Sequence, residues 1–194
     1  MIHLAVEHIV NELNSYFSVK ISESSKVVQN ALIKMDGAVQ GGIDDKIVAT
    51  LVNIEEERIA RDPEIYKKQM DGSIQIIKPE VKLNLYLLFT AYFPLDYSEA
   101  LKMLSLVIGF FQKKNTFNTS NSPGLDPRIK DMNLELFTLS FEQQNHLWGS
   151  IGAKYTPSVL YKMRLISIAE DEIDGTGEPI TEIYINEDKP ETDE

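Results

Sequence analysis

The spacing of apolar residues predicts two substantial helices in this chain. In residues 1–18, apolar side chains recur every three or four positions, which is typical of an amphipathic helix. The second helix is predicted at Leu95–Lys114, where Asp96 is placed to cap the first turn and Glu99 follows in a capping-box pattern. Apolar residues surround most of this second helix, whereas a surface helix normally has one apolar stripe. We therefore expect it to be buried on two sides or shared with a neighbouring subunit.

The remaining pattern predicts strands separated by polar turns. A hairpin is expected at Glu64–Pro79 around Asp71-Gly72, a polar loop at Asn115–Asp131, and a short helix or turn at Glu142–Ser150. β-branched and alternating runs predict the other strands, at Ser25–Lys34, Lys46–Ile59, Glu80–Phe93, Met132–Phe141 and Ser158–Ile168. The expected fold class is α/β of the α+β type, a mixed and mostly antiparallel sheet packed by two main helices and a short third.

Charge divides the chain into a body and an acidic end. The formal net charge is −11, of which residues 170–194 carry −10 and residues 1–169 only −1. We therefore expect one domain at 1–169 and a largely flexible acidic tail at 170–194, in which ITEIYIN could form a short strand. The tail is either a solubilising end or an electrostatic tether. The body has no concentration of Lys or Arg, so no nucleic-acid partner is expected.

Membrane insertion and secretion are not expected either. The longest apolar stretches, Leu83–Phe93 and Met103–Phe111, are too short to cross a bilayer. The first residues include Glu7 and Glu12 and no basic run, which argues against a secretory signal. The chain has no cysteine, so disulfides and thiolate metal sites are excluded.

Residues able to support catalysis are few. His3 and His8 are five positions apart and therefore do not share a helical face, so we interpret them as two surface histidines rather than as a metal site. A hydrolase using His146 with Glu142 or Ser150 is conceivable, but the spacing matches no known triad. We expect no enzyme activity, no metal and no cofactor.

The segment Leu139–Ile168 is the densest in the chain and contains the candidate interface residues, which are His146, Trp148, Tyr155, Pro157 and Tyr161. Trp148 and Tyr155 have large amphipathic rings of the kind that anchor protein interfaces. Pro157 stiffens the entry into the last strand. Two interpretations of Trp148 remain open, because it could equally fill the core beneath a turn.

Several segments, in this order, resemble those of a known family: LVNIEEER, LNLYLLFTAYF, ALKMLSLVIGFFQ, SPGLDP and LELFTLSFEQQNHLWGSIGAKYTPSVLYKMRLISI. They are similar to the cap, or tail-terminator, proteins of phage-tail-like extracellular contractile injection systems of the antifeeding-prophage and virulence-cassette type. The resemblance covers roughly residues 1–170. It implies a tail-terminator-like α/β domain that forms a sixfold ring, as a homohexamer, at the end of the particle distal to the baseplate. There the ring would terminate the inner tube and the contractile sheath.

The resemblance also sets expectations for partners and location. It implies binding to inner tube and sheath proteins, assembly in the cytoplasm and incorporation into the injection particle. Strand edges of such a protomer are expected to accept a sheath or tube segment by adding a strand. Some family members continue into a further domain, where this sequence has the acidic tail. The alternative function is a protein-binding adaptor of the same particle that forms no ring.

Overall fold

The computed structural model describes residues 1–57 and 82–167, together with the backbone of three strands at 65–68, 74–77 and 173–177. In chain order the elements are α1 (Ile2–Ile21), β1 (Val27–Gln29), β2 (Lys46–Glu56), β3 (Ile65–Lys68), β4 (Ile74–Ile77), β5 (Lys82–Tyr92), α2 (Tyr97–Lys113), β6 (Thr116–Asn118), β7 (Ile129–Phe137), α3 (Phe141–Ile151), β8 (Ser158–Ser167) and β9 (Ile173–Gly177). They form two compact units, of which the first contains residues 1–61 and 80–168 and the second residues 62–79 and 169–194.

The first unit is built on a six-stranded sheet in the order β1-β2-β5-β8-β7-β6. Only β1 and β2 run parallel, and every other neighbouring pair is antiparallel. A bulge shifts the register of β2 between Leu51 and Asn53. Together with the three helices, this sheet confirms the expected α+β class.

One face of the sheet carries α1 and α2. The alternating residues of β5 that point to this face, from Leu85 to Ala91, are fully or almost fully buried beneath the helices. Three aromatic rings fix the centre, because Phe89 lies 5.5 Å from Phe111 and 5.9 Å from Tyr161 between ring centroids. Rings at these separations add to the energy of apolar burial. We call this side of the sheet the helix face.

The opposite face is covered over one end of the sheet by α3 and by the segment that follows β1. A smaller apolar cluster fills the space between them, and its buried members are Leu32, Ile43, Val48, Leu88, Trp148 and Leu160. We call this side the α3 face. β5 has buried apolar residues pointing both ways at Leu87–Phe89, so this part of the strand is covered on both faces.

Most predicted elements are present, with several corrections. The first prediction to fail is the loop at Asn115–Asp131, since it contains β6 and the start of β7. The strand expected at Ser25–Lys34 is reduced to the three residues of β1. The second helix buries one face in the core and leaves Leu101 45% exposed, so burial on two sides within the chain is wrong, whereas sharing with a neighbouring subunit stays a prediction. Asp96 does cap it, since its carboxylate accepts a hydrogen bond from Glu99 N–H.

The second unit contains a three-stranded sheet in the order β3-β4-β9. Antiparallel pairing of β3 with β4 confirms the predicted hairpin, although its Asp71-Gly72 turn lies outside the described residues. β9 pairs with β4, so Asp174–Gly177 forms part of a strand. The ITEIYIN strand and most of the expected flexible tail also lie outside the described residues.

Candidate functional site

The short helix α3 is firmly anchored at both ends. Its N-terminus has a complete capping box, in which the Ser140 hydroxyl accepts from Gln143 N–H and the Gln143 side chain accepts from Ser140 N–H. Such reciprocal bonds satisfy two backbone donors that a helix start otherwise leaves open. At the other end, Gly152 adopts φ 75°, a left-handed conformation that glycine tolerates without strain. The local sequence therefore fixes where α3 begins and ends.

Trp148 attaches α3 to the sheet. Its side chain is 4% exposed and belongs to the apolar cluster that includes Leu88 and Leu160. The interpretation of Trp148 as a core residue therefore describes its position. Its indole Nε1 is nevertheless buried with no hydrogen-bond acceptor among the described residues, which is unusual because a buried indole N–H normally finds a partner. Leaving such a donor unpaired costs about 1–3 kcal/mol.

Exposed apolar side chains surround this buried ring. Phe141 is 92% exposed, Tyr155 59% and Phe137 37%. The Tyr155 ring stands edge-on to Trp148 at 5.7 Å between centroids, and Phe137 contacts the Tyr86 ring in the same way at 5.2 Å. We call Phe137, Phe141, Trp148 and Tyr155 the α3 surface, which is rich in the residue types that interfaces favour.

Two shallow clefts meet at Trp148 within the α3 surface. One has a volume of about 250 Å³ and runs along Leu136 and Phe137 to Tyr155. The other, of about 550 Å³, lies between Phe141 and Tyr155 and is floored by Trp148. Their walls are largely apolar, with Gln144 common to both clefts, the hydroxyls of Thr138 and Ser158 in the first and the amide of Asn145 in the second. This chemistry suits the side chains of another protein better than a charged small molecule.

The structure separates the other predicted interface residues. His146 is exposed on α3, and Pro157 is half-buried before β8. Tyr161 lies on the helix face, where it is 3% exposed and packs against Phe89 and Phe111. Burial raises the pKa of the Tyr161 hydroxyl to about 12. Of the five predicted residues, Trp148 and Tyr155 are therefore brought together.

The far end of the α3 face is polar. The Tyr86 hydroxyl donates to Glu55 Oε2 at 2.8 Å, and Asn84 Nδ2 donates to Glu57 Oε2 at 3.1 Å. Burial, and then the bond to Glu55, raise the pKa of Tyr86 to about 12. Glu55 and Glu56 are exposed at the end of β2.

The hydrolase arrangement considered for His146 is not assembled. The Ser150 hydroxyl donates to the carbonyl of Leu147 at 2.9 Å, and no hydrogen bond in the described part of the chain joins His146 to Ser150 or Glu142. Within residues 1–57 and 82–167 and the three separate strands, no group of three His, Asp or Glu side chains is placed to hold a metal ion. Over the same residues, no helix combines the length and apolarity that crossing a bilayer requires.

His8 corrects the interpretation of two surface histidines. His3 is exposed, but His8 is only 9% exposed, because the buried stripe of α1 is wide and Phe117 of β6 packs against the imidazole. Its Nε2 lies 3.8 Å from Glu12 Oε1 and has no hydrogen-bond partner in the described part of the chain. Burial lowers the pKa of His8, the carboxylate of Glu12 opposes that effect, and Lys114 adds to it.

Sequence reasoning missed most of the α3 surface. The sequence pattern did not identify Phe141 and the end of β7, because the alternation of apolar and polar residues does not distinguish exposed apolar side chains from buried ones. One signal was available, since Ser140-Phe-Glu-Gln143 has the spacing of a capping box. It fixes the start of a helix and leaves Phe141 at its first position.

Comparison with known proteins gives a consistent result. The family model for the Pvc16 N-terminal domain matches residues 5–182. No curated protein matches the chain. Among solved structures, the fold is similar to the sheath/tube terminator of the PVC extracellular contractile injection system in its extended state, with a TM-score of 0.60 and 15% identity over 100% of this chain and 65% of that one.

The fold is also similar to the tube-terminating cap of the anti-feeding prophage, with a TM-score of 0.57 and 13% identity. That match covers 91% of this chain and 59% of the other. The chain thus spans less than two thirds of the length of both structures. At these identities the similarity establishes the shared fold.

Proposed function

This chain belongs to the Pvc16 N-terminal domain family, and from that premise we propose that it is a structural cap of a contractile injection particle. In this role it ends the inner tube and the surrounding sheath at the end distal to the baseplate. It acts as a ring of identical copies, six in number, with no catalytic step. It assembles in the cytoplasm and is then carried as a component of the particle.

The observation that carries this proposal is the fold that the chain shares with two terminating proteins. The whole chain is covered in the match to the PVC terminator, and nine tenths of it in the match to the anti-feeding prophage cap. Because a terminator works by contact alone, it requires docking surfaces and no reacting groups. The α3 surface is such a docking surface.

We assign the α3 surface to a tube or sheath subunit. Phe141 and Tyr155 supply exposed rings, and the clefts on either side of Trp148 accept apolar side chains of the partner. Binding there would desolvate aromatic anchors, the residue type that dominates interface energetics. A cap must also stop growth of the polymer. Once docked, it must therefore not present a surface to which the next tube or sheath subunit can bind.

The experiment adds the purified full-length chain to polymerising tube and sheath proteins of the same particle. A terminator shortens the polymers as its concentration rises and is found at one end of each by electron microscopy with a labelled chain. Polymers of unchanged length, with label distributed along their sides or absent, would exclude the role. A single labelled copy at each end would instead identify the non-ring adaptor.

A matched pair of variants connects the activity to the site. Phe141→Ser removes an exposed ring of the α3 surface, whereas Leu95→Ser removes a residue that is 97% exposed at the start of α2. We expect the first to lose end binding and the second to keep it. An equal loss in both variants would separate the α3 surface from the function.

A further inference from the structure

Both outer strands of the six-stranded sheet are only three residues long. β1 covers β2 at Ile47–Ala49, and β6 covers β7 at Asp131–Asn133. Beyond these pairings, within the described part of the chain, no strand lies on the outer side of Leu51–Glu55 in β2 or of Glu135–Phe137 in β7. Each side of the sheet therefore has one short open edge.

The hydrogen bonds already present show which residues point outward at these edges. Leu134 N–H donates to the Asn115 carbonyl on the outer side of β7 at 2.8 Å, so by strand alternation Leu136 is the next outward residue. On β2, Glu57 N–H donates inward to the Lys82 carbonyl at 2.9 Å. Because this direction alternates from residue to residue along the strand, the backbone N–H and C=O of Ile54 point to the outer side of β2. Leu136 and Ile54 thus present backbone N–H and C=O groups that no other described residue pairs.

The two open edges lie at overlapping levels along the strands, run in opposite directions as antiparallel pairing requires, and carry similar apolar side chains. Pairing across the sheet connects Leu136 to Tyr161, then to Leu87 and Leu51, so both edges are open at one level. β7 and β2 run in opposite directions, since three antiparallel pairings separate them. The side chains of Leu136 and Ile54 both lie on the helix face and are 56% and 49% exposed.

A third feature directs pairing to these positions. At the free side of β1, the Asn14 side chain binds both backbone groups of Val27, accepting from its N–H and donating to its carbonyl at 2.9 Å each. The amide occupies the place of a strand partner. Blocking of this kind is how proteins protect sheet edges from unwanted pairing.

We propose that β7 of one copy pairs antiparallel with β2 of the next, with Leu136 and Ile54 as a directly hydrogen-bonded pair. The contact joins two different edges, so it is heterologous and closes into a ring when the rotation between copies permits. This inference rests on the proposed function, because it supplies the bond between ring protomers. It assigns these edges to a second copy, in place of the sheath or tube arm that strand edges alone suggest.

The proposed pairing of Leu136 with Ile54 places two like charges opposite each other. With Leu136 opposite Ile54, Glu135 stands opposite Glu55 on the α3 face, and like charges directly across a strand pair weaken it. Glu135→Gln should therefore strengthen association between copies by about two- to fivefold. A variant that damaged the fold would weaken association, so a gain identifies the register.

Cross-linking tests the pairing directly, because the chain contains no cysteine. In the double variant Leu136→Cys and Ile54→Cys, Cα atoms of paired copies would be about 5.5 Å apart, within the range of a disulfide. Within one copy three strand spacings, about 14 Å, separate these positions and prevent an internal bond. The full chain would be assembled on tube and sheath ends, oxidised, and analysed under denaturing conditions.

The expected result is a ladder of covalent oligomers up to the size of the ring, whereas either single variant yields at most dimers. Wild-type end caps together with a double variant that stays monomeric would overturn the pairing and leave the proposed function intact. Failure of the wild-type chain to bind ends would instead remove the function itself. If sheath or tube addition shields the single Leu136→Cys thiol but the double variant gives no ladder, the edge belongs to a particle arm and the inference is wrong.

Proline provides a second and independent variant. Leu136→Pro removes an outward N–H without removing a bond to β8, and an edge position of this kind is where a strand tolerates proline. Leu136→Thr keeps the N–H and serves as its control. We expect the proline variant to bind tube and sheath ends as a ring at least tenfold more weakly, and the threonine variant to bind as the wild type does. Circular dichroism should show that both variants fold equally well. Equal assembly of both variants would contradict the pairing.

Discussion

The two faces of the six-stranded sheet contrast sharply. On the helix face, α1 and α2 enclose a continuous core in which Phe89, Phe111 and Tyr161 form one aromatic group. On the α3 face, a shorter helix covers a smaller cluster, leaves the Trp148 indole N–H unpaired and exposes Phe141 and neighbouring rings. The same sheet therefore has one side completed by its own chain and one side that is not.

This difference gives the two faces different roles, one in the stability of the fold and the other in docking. On the helix face the apolar residues beneath α1 and α2 are already buried, and exposed apolar side chains such as Leu136 and Ile54 lie at the open strand edges. The α3 face retains exposed aromatic area and an unpaired buried donor, both of which a partner can use. We infer that substitutions on the first face act through folding, and those at the α3 surface act through assembly.

The largest effect is expected for Phe89→Ala on the helix face. Phe89 is fully buried, and its removal leaves a cavity among the rings of Phe111 and Tyr161. Such truncations reduce the free energy of unfolding by about 3–5 kcal/mol. Urea unfolding followed by circular dichroism measures it, with Phe141→Ala expected within about 0.5 kcal/mol of the wild type. Similar losses in both variants would remove the contrast between the faces.

The next effect concerns docking at the α3 surface. Tyr155→Ser and Phe141→Ser should each weaken binding to tube or sheath ends by at least tenfold, about 1.4 kcal/mol, because each removes an exposed aromatic anchor. Sedimentation with assembled polymers measures the dissociation constant. Val19→Ser, at an exposed position on α1, is the control. Binding that responds to Val19 and not to Tyr155 would assign docking to the other face.

A smaller effect is expected at the start of α3. Ser140→Ala removes the hydroxyl that caps the helix, at a cost of about 1 kcal/mol. Faster amide hydrogen exchange in α3, with unchanged exchange in α2, would show that the loss is local. Ser15→Ala, which removes an exposed hydroxyl within α1, is a suitable control. Unchanged exchange in α3 would mean that Trp148 alone holds the helix.

The smallest effect is the pH dependence contributed by His8. Because burial lowers the pKa of His8 in the folded state, the unfolded chain binds more protons as the pH falls below about 6.5. Stability from this group is therefore full above that pH and decreases as the pH falls towards the folded pKa. His8→Leu should lose less stability than the wild type between pH 7 and pH 5, measured by thermal unfolding. An equal decrease in both proteins would contradict this.

The sequence predicted the strands and helices better than it predicted the surfaces. Periodicity located α1, β2, β5 and α2, because each has a long apolar pattern and α2 also has the Asp96 cap. It missed β6, since three residues carry too little pattern, and it placed His8 at the surface because packing by Phe117 arises from distant residues.

The candidate site was predicted only in part, for a related reason. Trp148 and Tyr155 were identified by residue type, and the structure places them in contact. Tyr161 was grouped with them by nearness in sequence, yet strand alternation turns it to the helix face. Phe141 was missed because exposure depends on what the rest of the chain leaves uncovered.

Hydrogen exchange of the chain, free and bound to tube and sheath ends, tests the division between the faces most directly. We expect binding to slow the exchange of backbone amides at the end of β7 and from α3 through Tyr155. The amides of α1 and α2 should exchange as in the free protein. Protection confined to α1 and α2, with α3 unchanged, would contradict the assignment of docking to the α3 surface.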